Sequence, residues 1–371
     1  MSAAIAEKAE TAVRDRAPTG RPAPEASPAA DPEPGRGAEP AAQPCAEAPA
    51  GDALPEAPPA GATGGHDPQY LPYAPLWTPV IERNLAMLLE WIVADMRGCL
   101  FAGRPLVGKS HFLLYAKRAI PPLLGVAAIQ LWSFLGYACG SKEEVLRSLL
   151  LQSGCRAATP RSPSVLLDRL INHLVGAAQS IGSRRVVLLI DELQELPPDM
   201  YPVLMSIVSA LQTQGLVPCC ISMAQPEIQE RIQDLYDQAK LQVIGRFFSQ
   251  VKRFDALTVA EAIETIRNID EPDAAFTERW FPHLRDIGWS LGQLGPPLQA
   301  SIDELRAQKG LPQQVLIPFS HLRPALKFMF RMLANVPECQ AGLTKEHVLE
   351  CLERTGYPQV MHHYIATEEN Q

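Results

Sequence analysis

Cys99-Leu100-Phe101-Ala102-Gly103-Arg104-Pro105-Leu106-Val107-Gly108-Lys109-Ser110 is the stretch on which the fold turns. Its apolar start, 99–102, has the composition of a short buried strand, and a helix carrying Phe112, Leu113 and Leu114 follows Ser110. Gly103 to Ser110 between them satisfies G-x-x-x-x-G-K-[ST], with Arg104, Pro105, Leu106 and Val107 as the variable span. The glycines let backbone N–H groups turn inward around phosphate, and Lys109 brings a point charge to the outer phosphates. The Ser110 hydroxyl, at a helix N-terminus, can ligate magnesium.

The run Val186-Val187-Leu188-Leu189-Ile190 consists of branched aliphatics and predicts a strand buried on both faces. It ends in Asp191-Glu192. Behind a phosphate loop, such a pair divides its labour: the first carboxylate holds magnesium through water, and the second polarises the water that attacks. A strand ending in a merely solvated acidic pair is the plain alternative.

The surrounding pattern predicts an α/β protein with a parallel sheet flanked by helices. Thr78-Pro79 opens a helix over 80–92, and Ser141 with Glu144 makes a capping box for a helix through Leu151. A helix over 199–214, stopped by Gly215, leads to a further uncharged strand over 216–223. Strands alternating with helices place their sheet in the parallel class. No charge occurs between Arg118 and Lys142, a length that raises a membrane span. Pro121, Pro122, Gly125, Gln130, Ser133 and Gly136 interrupt it, and the reading is a turn, a buried strand over 126–132 and a loop. Beyond about 270 strand signals give way to amphipathic helices over 298–308, 320–334 and 344–354, which predicts a second, all-helical unit. The chain divides into a tail, 1–69, a nucleotide-binding domain, 70–270, and a helical lid with the C-terminal region, 271–371.

The tail is rich in Ala and Pro, has no aromatic residue before Tyr70, and is predicted to be disordered. Residues 1–70 carry eleven acidic and five basic side chains, so most of the formal charge of −8 over 371 residues sits there. The folded part is nearly neutral and has no global basic field; any nucleic-acid contact must come from a local patch. Eight cysteines without a C-x-x-C pair are read as reduced, mostly buried thiols of a cytoplasmic protein, and the N-terminus shows no secretory signal. His362-His363 has no third ligand near it in sequence, so no metal beyond nucleotide-bound magnesium is expected.

The order of these motifs is specific. The third strand ends in Gln225-Pro226-Glu227-Ile228, and Gly245-Arg246-Phe247-Phe248 and Phe254-Asp255-Ala256-Leu257 follow. This order resembles the AAA+ ATPases of the TniB/TnsC transposition-regulator group and the related ExeA-type proteins. The match runs over about 78–270 and only loosely over the lid, with Ala224 where Gly is usual and Ala256 where Pro is common. The resemblance implies ATP and magnesium as cofactors and Gln225 as a first sensor contacting the γ-phosphate or its water, against the alternative of a turn residue before Pro226. It implies that Arg246 reaches the neighbouring subunit's nucleotide, with Arg253 in reserve and an intradomain ion pair as the alternative. Arg323 in the lid is a possible second sensor. Family members line a ring or filament with residues that here correspond to Lys142, Arg147, Arg156 or Arg161, each also readable as an ordinary surface charge.

The resulting expectation is an ATP-dependent regulator that oligomerises with itself on duplex DNA, without sequence preference, and passes that DNA to a partner transposase, with a target-selector protein a further partner. An ExeA-like ATPase serving secretion or envelope assembly is one alternative, though no membrane segment supports it. A nucleotide-switched scaffold that does not hydrolyse ATP is another, and Glu192 argues against it, because a pure switch has no need of a positioned base.

Overall fold

Thr78 begins the first helix as its residues dictate: its hydroxyl accepts the N–H of Ile81 at 3.0 Å, and Pro79 occupies the first turn, where no donor is needed. The helix, α1 (Pro79–Val93), leads into β1 (Gly98–Ala102), which is buried along its whole length. The structure, a computed structural model, describes residues 75–124, 128–155, 162–270, 275–311, 314–339 and 341–366. The tail over 1–69, Arg156 and Arg161 lie outside the described residues.

After the phosphate loop comes α2 (Lys109–Leu124), then β2 (Ala128–Ser133), α3 (Lys142–Gln152), α4 (Pro163–Ser180) and β3 (Arg185–Asp191). Next are α5 (Tyr201–Thr213), β4 (Val217–Ala224), α6 (Ile228–Asp237), α7 (Leu241–Phe247) and β5 (Gln250–Arg253). The five strands form one parallel sheet in the order β2-β3-β4-β1-β5. Together with the strand–loop–helix unit at Gly103, this is the α/β P-loop NTPase fold that the sequence predicts. β3, β1 and β4 occupy the middle and are almost wholly buried, as their uncharged runs require. Cys99 of β1 and Cys219 and Cys220 of β4 lie among them as free thiols, and burial pushes Cys99 and Cys220 up to about 12 and Cys219 well above the ordinary thiol value.

Three expectations change. Pro121 and Pro122 do not make a turn; α2 runs through them to Leu124. Their missing N–H groups leave the carbonyls of Lys117 and Arg118 without helical donors, but both residues are exposed, so water can serve them, while Ile120 stays anchored in the core. The strand that follows, β2, is an edge strand and only half-buried, so its uncharged character reflects one covered face. The C-terminal region is not purely helical, for β7 (Leu316–Ile317) pairs antiparallel with β6 (Leu257–Thr258). Two residues are too short for a periodicity to show.

After β6 the chain continues through α8 (Val259–Asp270), α9 (Gly295–Gln308), α10 (Phe319–Asn335) and α11 (Lys345–Arg354). Buried Asp270 holds the end of α8 by accepting the Thr277 N–H and hydroxyl and the Leu291 N–H at 2.6–3.0 Å. Among the described residues no helix is long and apolar enough to cross a membrane.

Candidate active site

Strands of a parallel sheet gather whatever follows them at one edge, and here the C-terminal ends of β1, β4 and β3 bring three sequence motifs together. The phosphate loop leaves β1 at Gly103, whose N–H donates to the Ala224 carbonyl at 3.0 Å. A Cβ at Gly103 would fall 2.3 Å from the Phe254 carbonyl oxygen, so only glycine fits beside the segment that follows β5. Gly108 takes φ 111°, the turn that sends the chain into α2. Leu106 also adopts a left-handed φ, 66°, where a β-branched side chain would be most strained; its own side chain is exposed.

Lys109 is buried, and its ammonium donates to the carbonyls of Gly103 at 2.7 Å and Arg104 at 2.9 Å. Burial lowers its pKa, and the carboxylates of Glu192, Asp191 and Glu227 push in the opposite direction. Asp191 is buried too, and burial raises its pKa, while the Ser110 hydroxyl and the Glu192 N–H, the latter at 3.0 Å, hold its charged form. Ser110 and Asp191 thus face one another with the hard oxygen donors that suit magnesium.

Glu192 leaves the strand in the left-handed region, φ 52° and ψ 44°, a conformation costing a non-glycine residue about 1–3 kcal/mol. Gln225, at the end of β4, brings its amide Nε2 to 3.5 Å from Glu192 Oε2. Gln194 donates to the same oxygen and accepts the Gln225 N–H through its Oε1 at 3.0 Å. Sequence reading had not singled out Gln194; its position two residues after the acidic pair was the available signal. Glu227, in the motif that follows β4, also brings its charge to bear on Lys109. The arrangement can cradle a triphosphate, hold a hard cation and set a carboxylate beside the terminal phosphate.

No family model and no curated protein matches the chain. Solved structures are similar to it. They include the ORC2 protein of Aeropyrum pernix in ADPNP-ADP complexes, at 13% identity and TM-score 0.46 over 74% of this chain and 66% of that one. The ORC1 protein of the same organism, in complex with DNA, matches at 14% and 0.47 over 78% and 69%. Cdc6p from Pyrobaculum aerophilum matches at 14% and 0.38 over 77% and 82%. The chain therefore spans about two thirds of the ORC2 relative, and the likeness concerns the fold alone.

The arginines lie in three different places. Arg246, in the last turn of α7, donates to the Ser209 hydroxyl on α5 at 3.1 Å and is half-exposed, so its local partner is a neutral hydroxyl. Its carbonyl packs on Gly98, the first residue of β1, whereas the phosphate loop follows the last. Five strand residues put about 13 Å between those ends, which is beyond the reach of an arginine to its own loop. Arg253 ends β5 beside Ala102 and pairs with Asp255 at 2.6 Å. Arg323 lies in the second turn of α10, and its charge reaches His111, the residue after Ser110. Of the candidate DNA contacts, Lys142 is exposed at the start of α3, and Arg147 pairs with Glu143 at 2.6 Å.

The C-terminal region supports the loop from behind, which the sequence did not announce. Phe319 stacks on His111 with ring centroids 4.1 Å apart, the Ser320 N–H donates to the Leu106 carbonyl at 3.2 Å, and the Tyr364 hydroxyl donates to the Pro105 carbonyl at 2.8 Å. His111 accepts the Leu76 N–H at 2.9 Å; burial, with the Arg323 charge as a lesser cause, brings its pKa down to about 4.

Proposed function

We propose that the chain is an AAA+ ATPase that assembles with copies of itself on target DNA and regulates a partner transposase. The observation that best supports the ATPase is the meeting of Lys109, Ser110, Asp191, Glu192 and Gln225 at one edge of the sheet. Loop N–H groups and Lys109 hold the β- and γ-phosphates, and Ser110 and Asp191 hold magnesium, which when bound neutralises phosphate charge. Glu192 accepts a proton from a water whose oxygen forms the new bond to the γ-phosphorus. The bond from that phosphorus to the β–γ bridging oxygen breaks, its electron pair staying on ADP, and inorganic phosphate leaves. Gln225 orients the water or the γ-phosphate.

Arg246 completes the site of the next subunit, since it stands at the sheet end away from its own loop. Arg323 is a second sensor carried by α10. The transposition half of the proposal is supported by the motif order from Gly103 to Leu257 that resembles TniB/TnsC-type regulators. Lys142 and Arg147 are the DNA-facing candidates among the described residues.

Lys109→Ala should lose nucleotide binding, whereas Glu192→Gln should bind and not turn over. Mixed oligomers decide the role of Arg246: inactive Arg246→Ala and inactive Lys109→Ala subunits should regain part of the ATPase rate when co-assembled. Absence of recovery despite co-assembly would make Arg246 a local structural residue. Duplex DNA should bind only with an ATP analogue, and with an affinity that falls steeply with salt; salt-insensitive binding would remove DNA from the scheme.

A further inference from the structure

A carboxylate that takes a proton from water needs one oxygen open to that water and the other fixed, so that the open one points the right way. Glu192 meets both conditions. Its Oε2 receives the Gln194 amide and, at the 3.5 Å limit, the Gln225 amide, while among the described residues Oε1 receives no hydrogen bond. Gln194 is also the nearer anchor, and its other end accepts the Gln225 N–H at 3.0 Å. One side chain thereby ties the residue just after β3 to the backbone just after β4. Its own backbone is fixed in turn, because Arg231 of α6 donates from Nη1 to the carbonyls of Gln194 at 2.7 Å and Leu196 at 2.6 Å. Leu193 and Leu196, either side of the turn, are fully buried, so the turn cannot drift as a unit.

The choice of a neutral amide matters. A lysine or arginine in this place would orient Glu192 equally well but would pair with its charge and weaken it as a base. A carboxamide orients the carboxylate and leaves the charge, and it is also able to accept from Gln225, which a cation cannot do.

We infer that Gln194 is a positioning residue, which aligns the Glu192 carboxylate and couples it to Gln225. The inference rests on the proposed reading of Glu192 as the base. Gln194 acts on the chemical step and not on nucleotide affinity, since it lies on the turn after β3 and, among the described residues, none of its hydrogen bonds goes to the phosphate loop.

The test is steady-state ATP hydrolysis together with ADP affinity, read for the parent, Gln194→Met, Gln194→Glu, Glu192→Gln and the double variant Gln194→Met/Glu192→Gln. Methionine keeps length and volume and removes both hydrogen bonds. The kcat of Gln194→Met should fall about 10- to 100-fold, as expected for a misaligned reacting group. KM for ATP and Kd for ADP should stay within about twofold, the signature of an interaction used in the transition state. Gln194→Glu, which keeps the acceptor for Gln225 but loses the donor to Glu192, should lose as much. In the Glu192→Gln background Gln194→Met should cost little more, because a residue that works through Glu192 has nothing left to align. If Gln194→Met loses ADP affinity, Gln194→Glu carries the same decision. An active parent and an impaired Glu192→Gln, combined with a full rate in the Gln194 variant that binds ADP, would overturn the inference, as would additive losses in the double variant. A parent that does not hydrolyse ATP, or a Glu192→Gln at the parent rate, would instead overturn the reading of the site itself.

Discussion

The two sides of the phosphate loop are built on different principles. Its front is assembled from residues within a few positions of three strand ends, where Asp191, Glu192 and Gln225 meet Lys109. Its back rests on Phe319, Ser320 and Tyr364, which lie more than two hundred residues further along the chain. The front needs particular chemistry at particular atoms. The back needs only shape and two hydrogen bonds to loop carbonyls. Changes to Glu192 and the amides that hold it should therefore alter turnover at constant affinity, and changes at the back should alter affinity and stability while leaving the chemistry intact.

The sharpest break should come at the front. Glu192→Gln should lower kcat by about two to four orders of magnitude with ADP affinity unchanged, measured by phosphate release and by titration calorimetry. A parallel loss of affinity would show that the two sides are not separable. At the back, Phe319→Ala removes a ring that is almost wholly buried against His111 and Gly108, and should cost about 3–5 kcal/mol of stability in denaturant unfolding. It should also weaken nucleotide binding more than it slows the step from bound ATP.

His111 belongs to the back and gives it a pH signature. Its pKa is near 4 when folded and about 6.5 when unfolded, so the unfolded chain binds more protons between those values. Its contribution is complete above pH 6.5 and is lost as pH falls toward 4, up to about 3 kcal/mol at the lower end. The parent should lose thermal stability from pH 7 to 5 faster than His111→Phe, which keeps the stack and does not titrate. The smallest effect expected is that of Tyr364→Phe, which removes one hydroxyl donor to Pro105 and should cost about 1 kcal/mol, with no change in kcat.

The same contrast explains what could be read in advance. The loop, β3 with its acidic end and the helix after Thr78-Pro79 carry their signals within a dozen residues, because backbone geometry and phosphate chemistry restrict residue types locally. β7 is buried but two residues long, too short for a periodicity, and β5 is an exposed edge strand bearing Lys252 and Arg253, with no buried face to produce a pattern. Pro121-Pro122 carried a strong breaker signal, which tertiary anchoring through Ile120 overrode in the last turn of α2. Gln194 is ordinary by type; its amide nitrogen holds Glu192 nearby, and only the approach of β4 gives its amide oxygen a donor. Placement of Arg246 at the far end of β1 likewise depended on how α7 packs, which no spacing along the chain discloses.

The three thiols of the central strands have one more consequence. Cys99, Cys219 and Cys220 are buried and held as neutral thiols, and an alkylating reagent needs both access and a thiolate. The intact sheet denies it both, so each alkylation event at these positions records a moment when β1 and β4 have parted. Mass-spectrometric timing of that labelling, with and without nucleotide, would make the middle of the sheet its own stopwatch for large-scale opening.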